Sequence, residues 1–272
     1  MNKKILLPSD FSDEALASAL YAAHLSKALK MPIDIVHVAE VVGGGGIYQE
    51  GSKLVQNKLR KQLFELSQKM EAVVGGDLEF DTLLLHGTTT SALSNLASDY
   101  AFVIMSAKGE ADLDRFFLGS TTKHMVQQNI VPVLIIPPRY KFSTIQKIVW
   151  ALDDEHIDTS KQIHPLPQIA RAFNARLEIF HHDEGEGDEG LRVDLAIFLD
   201  NLDYSLHYDF SPGQITEVIL DFAESEAADL ICMIHHKRPL LLQLFHPSKT
   251  ITSISKSKRP LLILPEKEEK NN

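Results

Sequence analysis

Short apolar runs alternate along this chain with longer amphipathic stretches, and that alternation is enough to lay out its elements. Ile5-Leu6-Leu7 reads as a buried strand that ends at Asp10. It leads into a helix with Ser12 as N-cap and Ala15, Leu16, Ala19, Leu20, Ala23 and Leu29 on its apolar face. Ile33 to Val38 forms a second strand, and the long segment Val41 to Gly76 carries the glycine run Gly43-Gly44-Gly45-Gly46, read as a loop. The helical stripe Leu54, Leu59, Leu63, Leu66 and Met70 within it is assigned to the core. A third strand near Glu79 to Leu85, a third helix near Ser91 to Ser98, a fourth strand Val103-Ile104-Met105, a fourth helix opening at Gly119-Ser120 and a fifth strand Val131 to Pro137 complete the series.

The series then recurs. Ile148 to Asp153 repeats the first strand and its terminal acid 143 residues later, before a helix containing Ile163, Ile169, Ala170 and Phe173. Glu178 to His181 repeats the second strand at the same offset, which aligns Val38 with His181. Tyr204 to Phe210 and Gln214 to Ser225 supply the third strand and helix, and Arg259 to Pro265 repeats the fifth strand at an offset of 128. The second copy is therefore 15 residues shorter between these points, a deficit assigned to the second-strand loop and the helix after it.

Strands alternating with helices at this spacing imply right-handed βαβ crossovers. The fold class expected is α/β, with two open, mainly parallel five-stranded sheets, Rossmann-like, covered by helices on both faces. One domain spans 1–138, a second spans 144–265, and 266–272 is a frayed, charged tail. The segment Arg139 to Ser143 is too short to let the copies drift apart. The closing strands, Val133 to Ile136 and Leu261 to Leu264, have apolar edges that need cover, so they are expected to meet in an intramolecular pseudo-dimer. A homodimer is a further option.

Composition narrows the function classes. A 272-residue chain with 44% hydrophobic and 24% charged residues is ordinary globular protein of two-domain size. A formal charge of -10 opposes a polyanion, so nucleic acid is not an expected partner. No apolar stretch approaches the roughly 18 to 20 residues of a spanning helix, so no membrane is expected either. The opening apolar run is too short for a signal peptide, and the single cysteine, Cys232, lies inside an apolar run, which together point to the cytoplasm.

Candidate chemistry gathers after the fourth strand of copy one. Ser106-Ala107-Lys108-Gly109 is followed by nine residues and then by Gly119-Ser120 at the start of a helix. Glycines at 109 and 119 let a backbone approach phosphates, and a helix start offers unpaired N–H groups to an anion. Ser120 and Thr121 add hydroxyls able to donate to phosphate oxygens or to hold a bridging Mg ion. In an open parallel sheet ligands favour the carboxyl ends of the strands, here Asp10, Val38 and the loop after Ala107.

This arrangement resembles the nucleotide signature of the universal stress protein family, Gly-x2-Gly-x9-Gly-Ser/Thr, with Ser106 in place of the first glycine. The resemblance covers the chain twice, including the opening Leu7-Pro8-Ser9-Asp10-Phe11-Ser12 and the His37-Val38 end of strand two. It implies a tandem member of the family with strand order 3-2-1-4-5. It further implies that Asp10 accepts a ribose hydroxyl and that the backbone of Val38 reads the adenine edge of ATP or ADP.

Copy two departs from the motif, with Ile234, Lys237 and Pro247 standing where Ser106, Gly109 and Gly119 stand in copy one. Proline has no N–H to give, so nucleotide is expected in the first domain only. The second copy instead places His181, His182, His235, His236 and Asp153 at one rim, a set able to bind a Zn-like ion and equally readable as ordinary polar strand ends. The function expected is an adenine-nucleotide-binding stress-response regulator, at most a slow ATPase, since no P-loop lysine motif is present. The alternative is a nucleotide-free scaffold of the same fold that docks a partner protein.

Overall fold

A computed structural model describes residues 4–39, 49–110, 113–152, 164–182, 199–209, 215–235 and 259–265. The N-terminal half supplies strands β1 (Ile5–Pro8), β2 (Ile33–Ala39), β3 (Phe80–His86), β4 (Phe102–Ser106), β5 (Lys108–Glu110), β6 (Leu113–Phe117) and β7 (Val133–Ile136). Its helices are α1 (Asp13–Leu29), α2 (Gln49–Val74), α3 (Thr89–Ala97) and α4 (Ser120–Gln128). The C-terminal half supplies β8 (Lys147–Leu152), β9 (Arg176–His182), β10 (Tyr204–Asp209), β11 (Leu230–His235) and β12 (Leu261–Pro265), with helices α5 (Pro165–Phe173) and α6 (Ile215–Ser225).

Each half winds in the expected order, β3-β2-β1-β4-β7 and β10-β9-β8-β11-β12, with all neighbours inside a half parallel. The expectation of two separate sheets is corrected. β12 pairs antiparallel with β7, setting Leu262 opposite Leu134, and the halves merge into one ten-stranded sheet. The reason is that the closing strands are buried and apolar, Val133 to Ile136 and Leu261 to Leu264. Their unpaired edges would otherwise leave N–H and C=O groups without partners.

Residues alternate along each strand between two cores. On one face Ile5, Leu7, Ile33, Ile35, Trp150 and Leu262 pack with Leu63, Leu66 and Met70 of α2 and with α1 and α5. On the other, Leu6, Val36, Val103, Val149 and Ile263 pack beneath α3, α4 and α6. Both cores cross the β7–β12 junction. The stripe on α2 joins the core from Leu63 onward, with Leu66 and Met70 buried, whereas Leu54, assigned to it from periodicity, is 75% exposed on this 26-residue helix. α1 is buried nearly all round, down to Ser18 and Ser26, since the sheet and α2 and α5 both press on it.

Helix ends repeat as faithfully as the strands. α1 closes at Lys30 in the left-handed region (φ 52°), with Met31 N–H donating to Ser26 C=O at 3.1 Å. α5 closes at Asn174 (φ 51°), with Ala175 N–H donating to Ala170 C=O at 2.8 Å. This cap and the strand register correct the alignment of the second strands. Ile5 faces Ile33 while Ile148 faces Leu177, so the offset is 144 at strand two, and His181 corresponds to His37 rather than to Val38. The additional residue falls between the end of β8 and the end of α5, a stretch that periodicity could not register.

Candidate functional site

An open cleft with a cavity volume of about 150 Å³ lies at the carboxyl ends of β1, β2 and β4, where the winding of the N-terminal half reverses. Of the residues singled out from sequence, Asp10, Val38, Ser106, Gly119, Ser120 and Thr121 all line it. Gly109 is described only through its backbone pairing. Within the nine-residue spacer, read from sequence as loop, Glu110 and Leu113–Phe117 belong to the antiparallel strands β5 and β6, and Gly109 pairs with Phe116. A backbone engaged in strand pairing has fewer N–H groups to turn toward a ligand, which weakens its assigned role.

The floor of the cleft is rigid for reasons written in its residues. Ser9 N–H donates to Val36 C=O at 2.9 Å, extending the β1–β2 ladder. The His37 ring donates from Nδ1 to Ser9 C=O at 2.8 Å and stacks on Phe11 with centroids 4.5 Å apart. Phe11 takes φ 63°, a left-handed turn that swings the chain from β1 into α1. Asp10 is exposed, and its Oδ1 accepts both the Ser12 N–H at 3.0 Å and the Ser12 hydroxyl at 2.5 Å. These two bonds engage Oδ1, and the second oxygen of this exposed carboxylate keeps the capacity to accept a hydroxyl.

Opposite Asp10 stands the start of α4. Ser106 C=O accepts the Thr122 hydroxyl at 3.1 Å, which ties the end of β4 to the first turn of the helix. Gly119 is the N-cap and gives no side-chain cap, the first turn holds no acid, and the first ladder bond is Lys123 N–H to Gly119 C=O at 2.9 Å. The N–H groups of Ser120, Thr121 and Thr122 therefore have no acceptor within the helix. The neighbouring α1 shows the contrast: Ser12 accepts the Ala15 N–H, and Asp13 and Glu14 fill its first turn. α3, whose first residue Thr89 also lines the cleft, likewise lacks a side-chain cap and an acid in its first turn, so α4 and α3 are both left open to an anion while α1 is closed.

Sequence reasoning passed over His37, Thr89, Thr122 and Lys108, which also line the cleft. Lys108 lies inside the motif itself, and its side chain runs over Gly119: a Cβ placed on Gly119 would stand 3.1 Å from Lys108 Cε and 3.4 Å from Cδ. The usable signal was positional, since a residue two after the end of β4 can reach the facing helix start.

At the corresponding rim of the C-terminal half, His181 Nδ1 lies 3.3 Å from Leu152 C=O and its ring meets Tyr208 edge-on at 5.9 Å. His182 and His235 sit at the ends of β9 and β11, on either side of β8. Asp153, His236, Lys237 and Pro247 lie outside the described residues, as do the side chains of His182 and His235. Among the described residues there is no cluster of three or more His, Cys, Asp or Glu able to hold a metal. Nor, among them, is any helix long and apolar enough to cross a membrane.

Comparison with known proteins agrees with the winding. The universal stress protein family profile matches residues 1–137 and 209–265. Universal stress protein Slr1230 of Synechocystis is 24% identical over 289 residues, covering 96% of this chain and 99% of its own. Universal stress protein MJ0531 of Methanocaldococcus jannaschii is 25% identical over 138 residues, 49% of this chain and 81% of its own. A crystal structure of a universal stress protein from Archaeoglobus fulgidus superposes with a TM-score of 0.74 at 21% identity, covering 97% of this chain and 98% of that one.

Proposed function

The chain belongs to the universal stress protein family, and from that premise we propose that it is a cytoplasmic adenine-nucleotide-responsive regulator that binds ATP or ADP in its N-terminal half only. The observation that carries the reading is the cleft itself, which gathers an oriented carboxylate, a strand-end backbone at Val38 and an uncapped helix start on a single rim. In this reading Asp10 accepts a ribose hydroxyl and the Val38 backbone meets the adenine edge. The N–H groups and hydroxyls of Ser120 and Thr121 hold phosphate, with oxygen donors of the kind a phosphate-bound Mg ion takes. Occupancy then acts on the β5–β6 hairpin and on whatever surface it presents, which makes binding a signal rather than the start of a reaction.

The two halves, 1–138 and 144–265, act in this reading as an intramolecular pseudo-dimer with unequal members. Calorimetry of the full chain with ATP and with ADP tests it: one site per chain is expected. Gly119→Val should lower affinity at least tenfold by placing a branched side chain where phosphate approaches. Two sites per chain, or an unaltered affinity in the variant, would overturn it. A second reading, a nucleotide-free scaffold that docks a partner protein, draws on two observations: Lys108 already lies across Gly119, and Gly109 is paired with Phe116. Absence of any heat with ATP or ADP would favour it.

A further inference from the structure

Lys108 has no assigned role, and its surroundings define one. It is exposed at the start of β5, lines the cleft, and lays Cγ, Cδ and Cε within 3.1 to 3.5 Å of the place a side chain on Gly119 would occupy. Its ammonium is one bond beyond Cε, so it is held beside the first turn of α4. There three N–H groups lack helical acceptors and three hydroxyls, Ser120, Thr121 and Thr122, follow one another. Asp10 is the acid that lines the same cleft, and its Oδ1 is committed to Ser12. Among the described residues no ion pair engages Lys108. Glycine at 119 is what makes this approach possible, because any Cβ there would press on the lysine stem.

We propose that Lys108 is the phosphate-reading residue of this cleft: its ammonium meets the outer phosphates of a bound adenine nucleotide and makes the site select by phosphate charge. The proposal rests on the nucleotide reading of the cleft. It also accounts for a departure from the glycine pattern. Ser106 puts a side chain at the end of β4 and Gly109 is drawn into the hairpin, so two sources of close backbone contact are diminished. A mobile cation on a four-carbon stem can recover phosphate contact without requiring the backbone to come closer.

The test is a matrix of affinities. Full-length protein, Lys108→Met and Lys108→Arg are each titrated with ATP, ADP, AMP and adenosine at two salt concentrations. Methionine keeps the apolar cover over Gly119 and removes the charge, and Trp150 fluorescence under urea verifies that each variant folds as the parent does. The parent is expected to bind ATP and ADP more tightly than AMP, and AMP more tightly than adenosine. Lys108→Met should weaken ATP about tenfold, the scale of a charge-assisted contact, while leaving adenosine unchanged and flattening the salt dependence. Lys108→Arg should retain most of the ATP affinity. Equal losses for ATP and adenosine would show that the side chain acts by packing on Gly119 and would overturn the proposal, as would an unaltered ATP affinity. Binding of adenosine and ATP with equal strength by the parent would overturn it while sparing adenine recognition. Failure of all four ligands would overturn both readings together.

Discussion

The two rims of this molecule share a scaffold and differ in what they expose. Both halves pin the second strand to the first with the same histidine, His37 to Ser9 C=O and His181 to Leu152 C=O. Both bury one acid at the same place on that strand, Asp34 and Glu178, each under 10% exposed. The ends that bear on ligands diverge: Ser106, Gly109 and Gly119 on one side, Ile234, Lys237 and Pro247 at the matching places on the other. The difference teaches that winding and site chemistry are separately encoded. Interior positions repeat because packing and buried polar groups dictate them, while the strand-end loops are free to change.

The sharpest way to break the comparison is at the junction that makes the halves one body. Leu134 and Leu262 face each other across β7 and β12, both fully buried. Leu134→Asp buries a carboxylate without a partner and is expected to cost at least about 4 kcal/mol, a large part of the stability of a typical domain. Trp150 lies in the other half, yet its fluorescence transition in urea should shift with that of the whole chain. A variant that loses structure by circular dichroism while the Trp150 transition stays in place would mean that the halves fold separately.

Next in size are the two buried acids. Asp34 accepts the Tyr100 hydroxyl at 2.7 Å and the Lys4 ammonium at 2.8 Å, whereas Glu178 bonds Arg176 at 3.0 Å and His207 at 2.7 Å. Asp34→Ala and Glu178→Ala should each cost about 2 to 3 kcal/mol in urea titrations, since partners are left unpaired. Unequal losses would show that one half depends on its acid more than the other. The pH response then separates them. Hydrogen bonds donated first to Asp34 and then to Asp81 hold the Lys4 ammonium above its usual range, and burial first, then the hydrogen bond to Asp34, does the same for the Tyr100 hydroxyl. The folded state thus keeps protons that the unfolded chain releases above about pH 10, so stability is present below that point and declines as pH rises through the folded values. Asp34→Asn should flatten this decline, and an unchanged slope would remove Asp34 as its source.

Most of the scaffold was legible from the chain and part of the site was not. Apolar runs such as Ile5-Leu6-Leu7 and Leu261 to Leu264 announce buried parallel strands, and Ser12 announces a helix start, because burial and capping leave residue-level marks. The merger of the halves into a single sheet left a weaker mark, the apolar edges of β7 and β12. The one-residue shift between Val38 and His181 left none, since two adjacent histidines fit either register. The pairing of β5 with β6 was hidden because strands of three and five residues carry too short a period to read. Lys108 was hidden because reach across a cleft depends on tertiary placement.

A smaller effect would sharpen the contrast between the rims. If Ser106 narrows the N-terminal cleft, Ser106→Gly should raise ATP affinity a few-fold, since the substitution removes a side chain at the cleft wall. The matching change in the other half, Ile234→Gly, should confer no ATP binding, because Lys237 and Pro247 also depart from the pattern. Calorimetry on both variants checks this. A gain of binding in Ile234→Gly would show that the C-terminal half was one residue away from a site, and the comparison between the halves would need to be redrawn.

The smallest expected effect lies at the seam on the α1 side of the sheet. Phe142, in the segment that joins the halves, stacks flat on His24 with centroids 4.2 Å apart, meets Tyr21 edge-on at 5.1 Å and reaches Phe173 of α5 at 5.9 Å. Burial first, and then the nearby Lys27 charge, hold the His24 ring below its ordinary value, so the folded protein prefers it neutral. The unfolded chain takes up its proton near pH 6.5 while the folded chain resists until lower pH. The contribution is therefore fully present above that value and is lost as pH falls through the folded value. His24→Phe keeps an aromatic face against Phe142 and removes the titration. Urea midpoints of the parent should fall more steeply than those of the variant between pH 7 and pH 5. Parallel slopes would mean that protonation of His24 leaves the seam undisturbed, and that the two halves are held there by aromatic packing alone.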